Sequence, residues 1–393
     1  MNDCIVVLNC GSSSIKFALF DATLDPLPRV PMWNGKVEGI GTAHPTATEA
    51  GAPTQAVKLD AAQPYHAALV HIRRRVEQRL DGRRLMAVAH RVVHGGAKYF
   101  APVCVDAEVL SDLRTYIPLA PLHQPFALEA IEALLSDLPD VPQVACFDTA
   151  FHSTLPQVET MLPLPYKAWE RGLRRYGFHG LSYEYMSIAL PERHGDIAHG
   201  RTIVAHLGSG ASLCAMHRLR SVATTMGFSA LEGLMMGTRC GSLDPGAVLY
   251  MMETEHLSPE QVGHVLYHES GLLGVSGLSS DPRELISHEA DNPRAQAALA
   301  LYVRRIVREI GALVAVLGGL DFLVFTAGIG EHNAVLRERV VGALGYLGAE
   351  LDEAANQAHA AIISSSASRI RVAVEPTNEE WVAARHAVRC KLQ

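Results

Sequence analysis

Apolar residues run through Val6, Val7 and Leu8 and then alternate through Ile15, Phe17 and Leu19, with Gly11, Ser12, Ser13 and Ser14 between the two runs. That pattern predicts a β-hairpin closed by a short turn of small residues. The turn reads either as an ordinary polar connection or as one that lets an anion approach the backbone N–H groups, with Lys16 beside it. Residues 36–60 are rich in Gly, Thr, Ala and Pro and predict irregular strands and loops. A helical period covers residues 66–80, a buried-strand run covers 85–93, a helix covers 128–135 and a strand covers 144–147. The two later strand runs end in polar residues, His90-Arg91 and Asp148, at the position where α/β proteins present groups to ligands.

A second hairpin is predicted over residues 202–216, where Gly208-Ser209-Gly210 lies between two apolar runs. Laid over the first hairpin, Gly11-Ser12-Ser13 falls on Gly208-Ser209-Gly210, which points to two related domains, each presenting a Gly/Ser turn. Residues 295–317 predict a long amphipathic helix with Arg304, Arg305 and Arg308 on its wet side. Residues 321–332 read as a strand running into a Gly-rich turn, and a last helix from Trp381 returns to pack on the first domain. The expected domains are 1–150 plus 380–393, and 151–379.

Composition narrows the class. Nearly half of the 393 residues are apolar, which supports two cores, and a net charge of −7 with no Lys/Arg-rich run argues against nucleic acid or an anionic membrane as partner. The seven cysteines are scattered and never in C-x-x-C spacing, so reduced thiols in a cytoplasmic protein are expected, without a disulfide framework or zinc site. The longest apolar run, residues 310–320, is too short to span a bilayer. The P-loop, Rossmann, α/β-hydrolase and zincin motifs are all missing. His264 and His268, four apart, fit a solvated helical face better than a metal site. Glycine-rich turns after strands remain, together with Arg91 in His90-Arg-Val-Val-His-Gly-Gly96 and Arg239 in Gly237-Thr-Arg-Cys-Gly241. Two arginines in small, Gly-flanked contexts suit recognition of carboxylate or phosphate by the planar guanidinium fork.

These segments resemble the acetokinase family in order from residue 5 to about 390. The resemblance is carried by Asn9-Cys-Gly-Ser-Ser-Ser-Ile-Lys-Phe17, by the Arg91 segment and by Phe147-Asp-Thr-Ala-Phe-His152. It continues in Arg175-Tyr-Gly-Phe-His-Gly180, His206-Leu-Gly-Ser-Gly210, Leu231-Glu-Gly-Leu-Met-Met-Gly-Thr-Arg-Cys-Gly241, Phe325-Thr-Ala-Gly-Ile-Gly-Glu331 and Pro376-Thr-Asn-Glu-Glu380. It implies an α/β fold of two duplicated actin-like ATPase (ribonuclease H-like) domains with an interdomain active-site cleft. The implied reaction is reversible Mg²⁺-dependent transfer of the ATP γ-phosphoryl group to acetate, giving acetyl phosphate and ADP, with Mn²⁺ as an alternative ion and a homodimer as the expected assembly.

By match, Arg91 holds the carboxylate and the travelling phosphoryl group, Arg239 stabilises the transition state and His179 donates to an equatorial oxygen; His123 lies nearby. The family assigns Asp148 to acid/base work. Acetate, with a pKa of about 4, is already ionised at neutral pH and needs no base, so Asp148 is expected to orient Arg91 or a metal-bound water. Asn9 and Glu379 match the metal positions. Lys16, His206, Leu207, Gly208, Ser209, Gly210, Asp281, Pro282, Arg283, Gly328, Ile329, Gly330, Glu331 and His332 match the nucleotide contacts. Val93, Leu122, Phe178 and Ala230 match the acyl pocket. The chain departs from the family at His332 (usually Asn), Ser209 (usually Asn), Gln124 (usually Asn), Tyr183 (usually His) and Ala230 (usually Pro). The smaller Ala230 makes a propionate kinase the near alternative; a non-catalytic actin-like nucleotide-binding protein is the distant one.

Overall fold

The computed structural model describes residues 3–121 and 123–391. The chain divides into two compact units, one made of residues 1–150 with 378–393, the other of residues 151–377. The return to the first unit thus begins at Asn378, two residues before the boundary expected from the sequence.

The first unit is built on an eight-stranded sheet. Its strands are β1 (Asp3–Cys10), β2 (Ser14–Asp21), β3 (Trp33–Glu38), β4 (Thr46–Glu49), β5 (Gln55–Ala56), β6 (Arg84–Val92), β7 (Val103–Cys104) and β8 (Gln143–Phe147), in the order β5-β4-β3-β2-β1-β6-β8-β7. β1 and β2 form the predicted hairpin, closed by the bond from Gly11 N–H to Ser14 C=O. Side chains alternate between faces along each strand. Val6, Leu8, Phe17, Leu19 and Val88 join one apolar core with Leu69, Ile72 and Val76 of the helix Pro64–Leu80 and Leu128 and Ile131 of the helix Gln124–Asp137. The opposite face carries a polar row set by register: Lys36, Lys16, Asn9 and Arg91 are successive cross-strand partners. The helix Glu379–Lys391 packs against β1, β6 and β8.

The second unit holds β9 (Arg201–Leu207), β10 (Ala211–His217), β11 (Arg220–Thr224), β12 (Phe322–Thr326) and β13 (Arg371–Val374), in the order β11-β10-β9-β12-β13. Three antiparallel strands followed by two parallel ones repeat the β3-β2-β1-β6-β8 arrangement of the first unit. This sheet is buried on both faces, so β9, β10 and β12 read as continuous apolar runs. The helix Pro293–Leu317 covers it with Leu299, Tyr302, Ile306 and Ile310; Asn292 caps its first turn and Gly318 closes it in the left-handed conformation. Arg304 and Arg308 are exposed as expected, whereas Arg305 is half-buried and donates to Ser242 C=O.

Two expectations are corrected. Residues 327–332 form a short helix rather than a turn, entered through Ala327 at φ 66°. The cysteines are not all reduced: Cys104 on β7 and Cys390 in the last helix are joined by a disulfide. A pair separated by 286 residues leaves no spacing signal in the sequence. No helix among the described residues is long and apolar enough to cross a membrane.

Candidate active site

In the first unit the chemistry gathers at the carboxyl ends of the parallel strands. Asn9 and Arg91 are the last residues but one of β1 and β6, and Asp148 follows β8, its N–H bonded to Val92 C=O. Arg91 Nε lies 2.9 and 3.1 Å from the two Asp148 oxygens, and Nη2 lies 2.6 Å from Oδ2. Its remaining nitrogen, Nη1, is 3.5 Å from Asn9 Oδ1 and 3.6 Å from Glu379 Oε2. Burial works against the Arg91 charge, but the carboxylates of Asp148 and Glu379 raise its pKa regardless, so it is a cation at any working pH. Burial pushes the Asp148 carboxyl above its ordinary value, and Arg91 offsets only part of that; His123, at the start of the helix Gln124–Asp137, is close enough to pull in the same direction as Arg91.

Lys16 is exposed and lines a cavity of about 420 Å³ with Lys36, Asn34, Asn378 and Glu380. Val93 is half-buried just beyond β6. Leu122 lies outside the described residues.

In the second unit the turn Gly208–Gly210 is the centre. Gly208 N–H bonds to Gly210 C=O, closing the turn. A Cβ placed on Gly210 would lie 3.2 Å from His179 Nε2 and 3.7 Å from Arg239 Nη1, so only glycine leaves that surface open to both side chains. Gly208 in turn faces His206 Nε2 and Ala327. His179 precedes the helix Gly180–His194 at φ 60°, and its ring stacks on His206 with centroids 4.1 Å apart and planes 17° apart. Arg239 Nη1 donates to Ala230 C=O, 3.2 Å away. Phe178 is buried, with its C=O 2.9 Å from His152 Nε2.

The other predicted nucleotide residues divide. Gly328, Ile329 and Gly330 lie in the helix Ala327–His332 that follows β12, and β12 pairs Thr326 with His206. Glu331 folds back: its Oε1 accepts from Ala327 N–H at 2.8 Å and Thr377 N–H at 3.3 Å, so it caps its own helix and holds residue 377. His332 is exposed. Asp281 caps the helix Pro282–His288, and Arg283 turns back onto Asp281. That segment touches the Arg239 loop through Ser280, against which Gly237 packs.

Several supporting residues carry no sequence signal of their own. Ser212, opposite His206 in the β9–β10 register, bonds to both His179 and Tyr183. Ser182 links His206 to Thr377. Arg337 is fully buried and donates to the carbonyls of Gly330, Glu331 and Asn356, fixing the end of the 327–332 helix. Alternation along β10, which puts Ser212 on the His206 face, was the one legible hint.

A profile of the acetokinase family matches residues 4–385. The acetate kinase of Rhodopseudomonas palustris (strain ATCC BAA-98 / CGA009) is 48% identical over 394 residues, covering 99% of this chain and 98% of that protein. The crystal structure of Porphyromonas gingivalis acetate kinase superposes with a TM-score of 0.88 at 35% identity, over 99% of this chain and 100% of that one. A propionate kinase from Francisella tularensis subsp. tularensis SCHU S4 superposes with a TM-score of 0.91 at 33% identity, over 98% of each. With its two mixed sheets of actin-like ATPase type, this chain belongs to the acetokinase family, phosphotransferases that take a carboxyl group as acceptor.

Proposed function

We propose that the enzyme transfers the γ-phosphoryl group of ATP to acetate, reversibly and in line, giving acetyl phosphate and ADP. The observation that carries this reading is the convergence of His179 Nε2 and Arg239 Nη1 on the open surface of Gly210. Phosphoryl transfer asks a protein mainly for positioning and for donors and positive charge around the moving group. His179 and Arg239 supply these in the second unit, beside the N–H groups of the 208–210 turn. Arg91 binds the acceptor carboxylate in the first unit, and Asp148 aims it through the two-point contact. No proton has to be removed from acetate, so Asp148 has no acid/base task.

Asn9 and Glu379 are oxygen donors that both reach toward Arg91 Nη1. One carboxylate and one amide oxygen fit Mg²⁺, which keeps several waters and takes its other ligands from substrate phosphates; Mn²⁺ has the same preference. When bound, the ion neutralises phosphate charge, and the two side chains hold it or its waters. A homodimer fits the helix Pro245–Glu253, an apolar segment with no buried residue, on which Leu249 and Tyr250 are 54% and 56% exposed.

Ala230, where the family usually has proline, favours a second reading in which propionate serves nearly as well as acetate; the likeness to a propionate kinase supports it. Hydroxylamine trapping of acyl phosphate across acetate, propionate and butyrate tests both. Hydroxamate from acetate is the expected result. ATP binding without hydroxamate would mean a non-catalytic nucleotide-binding protein. An acetate-to-propionate ratio of kcat/KM above about a hundredfold rejects the second reading, since one methylene rarely discriminates more.

A further inference from the structure

Behind the Gly210 surface three side chains stand in line. Tyr183 Oη is 2.5 Å from Ser212 Oγ, and Ser212 Oγ is 2.8 Å from His179 Nδ1. Tyr183 and Ser212 have no exposed surface. The imidazole therefore has its Nδ1 edge in the protein interior and its Nε2 edge against the turn.

Ser212 has a single hydroxyl proton, and with that proton used within the line the chain runs in one of two directions. Either Tyr183 donates to Ser212 and Ser212 to Nδ1, or Nδ1–H donates to Ser212 and Ser212 to Tyr183. A phenol is more acidic than an alcohol, and a neutral imidazole nitrogen accepts better than either hydroxyl. The first direction has the best donor donating and the best acceptor accepting, with Ser212 between them. It leaves the proton on Nε2, where it serves as a donor toward an oxygen on the Gly210 surface. The second leaves a lone pair there, which repels a phosphate oxygen. The His206 ring stacks on His179, with its own Nδ1 2.9 Å from Ser182 Oγ.

We propose that Tyr183, acting through Ser212, fixes His179 in the Nε2–H tautomer and that both are positioning residues for phosphoryl transfer. Their use in catalysis rests on the function proposed above; the tautomer itself is a property of the protein without substrate.

Multiple-bond ¹H–¹⁵N spectra of the full chain labelled at histidine read the tautomer directly, with His179 identified from its loss in His179→Gln. The expected wild-type spectrum shows a protonated Nε2 and an unprotonated, accepting Nδ1. In Tyr183→Phe the tautomers mix and kcat falls about 10- to 100-fold with acetate KM nearly unchanged, a partial loss of one oriented donor. Ser212→Thr, which keeps the hydroxyl, retains tautomer and kcat, whereas a merely structural disturbance would not be spared. An Nδ1–H tautomer in the wild type overturns the proposal. So does a Tyr183→Phe variant in which tautomer and kcat fail to move together. Absence of hydroxamate in the wild type would reject the proposed reaction, and the spectra would still decide the relay.

Discussion

Arg91 shows how much one side chain depends on its neighbours. Two of its nitrogens are taken by Asp148, and only Nη1 points toward Asn9 and Glu379. Asp148→Asn keeps the shape but replaces the two-oxygen clamp by one acceptor and one donor. Turnover in the hydroxamate assay should fall about 100-fold, the usual cost of a misaimed binding group, with a higher acetate KM. Near-normal turnover would exclude Asp148 from aiming Arg91 and from holding a metal-bound water. Gly210→Ala tests the other cluster: the new methyl meets His179 Nε2 at 3.2 Å, so kcat should drop about 10- to 100-fold while the thermal midpoint barely changes. At this scale the sequence singles out a charged residue where it sits among glycines, as at Arg91 and Arg239. Ser212 and Tyr183 are not singled out, because their meaning comes from contacts across strands and helices. Arg337 is not marked in the sequence either: it is buried in its helix, its pKa pushed down to about 10 by burial, and it is satisfied by carbonyls.

Among the elements, the helix Glu379–Lys391 is the one on which the first unit's site leans. Asn378 Oδ1 accepts from Trp381 N–H while its Nδ2 donates to Arg29 C=O, so one side chain caps the helix and ties it to the 27–29 loop. Trp381 Nε1 donates to Leu27 C=O, and the Arg29 and Arg385 guanidiniums lie over its ring at 5.0 and 5.5 Å. Asn378→Ala removes the cap and the tie together. Urea unfolding should show a loss of about 1–2 kcal/mol, and an unchanged midpoint would reject the capping role. The paired hairpins were legible because small turn residues interrupt clear strand patterns. The 327–332 helix was not, since Ala-Gly-Ile-Gly reads as a turn until Glu331 is seen capping it.

For the molecule as a whole, acid should be destabilising. His90 and His94 in the first unit and His152 in the second have pKa values pushed down to about 4 by burial. The unfolded chain binds these protons near pH 6.5, the native one only near 4, so stability is full above about 6.5 and declines as pH falls toward 4. Each histidine contributes about 1.4 kcal/mol per pH unit across that window. A urea midpoint that stays flat between pH 7.5 and 5 would contradict this. Reducing the Cys104–Cys390 bond should cost about 2–5 kcal/mol, and Cys104→Ser should match the reduced wild type in thermal midpoint with or without reductant.

The first unit is also discontinuous, resuming 228 positions beyond Ala150 at Asn378, just before its last helix. On the ribosome, the second unit is synthesised without interruption and can fold as soon as it emerges, whereas the sheet of the first waits with one face bare until residue 391 has been added. Translation halted anywhere between 151 and 378 therefore releases a chain whose Arg91 and Asp148 are uncovered and whose apolar surface is open to chaperones and proteases. The bond to Cys390 can form only after that wait is over, which makes it a chemical record that synthesis reached the final helix.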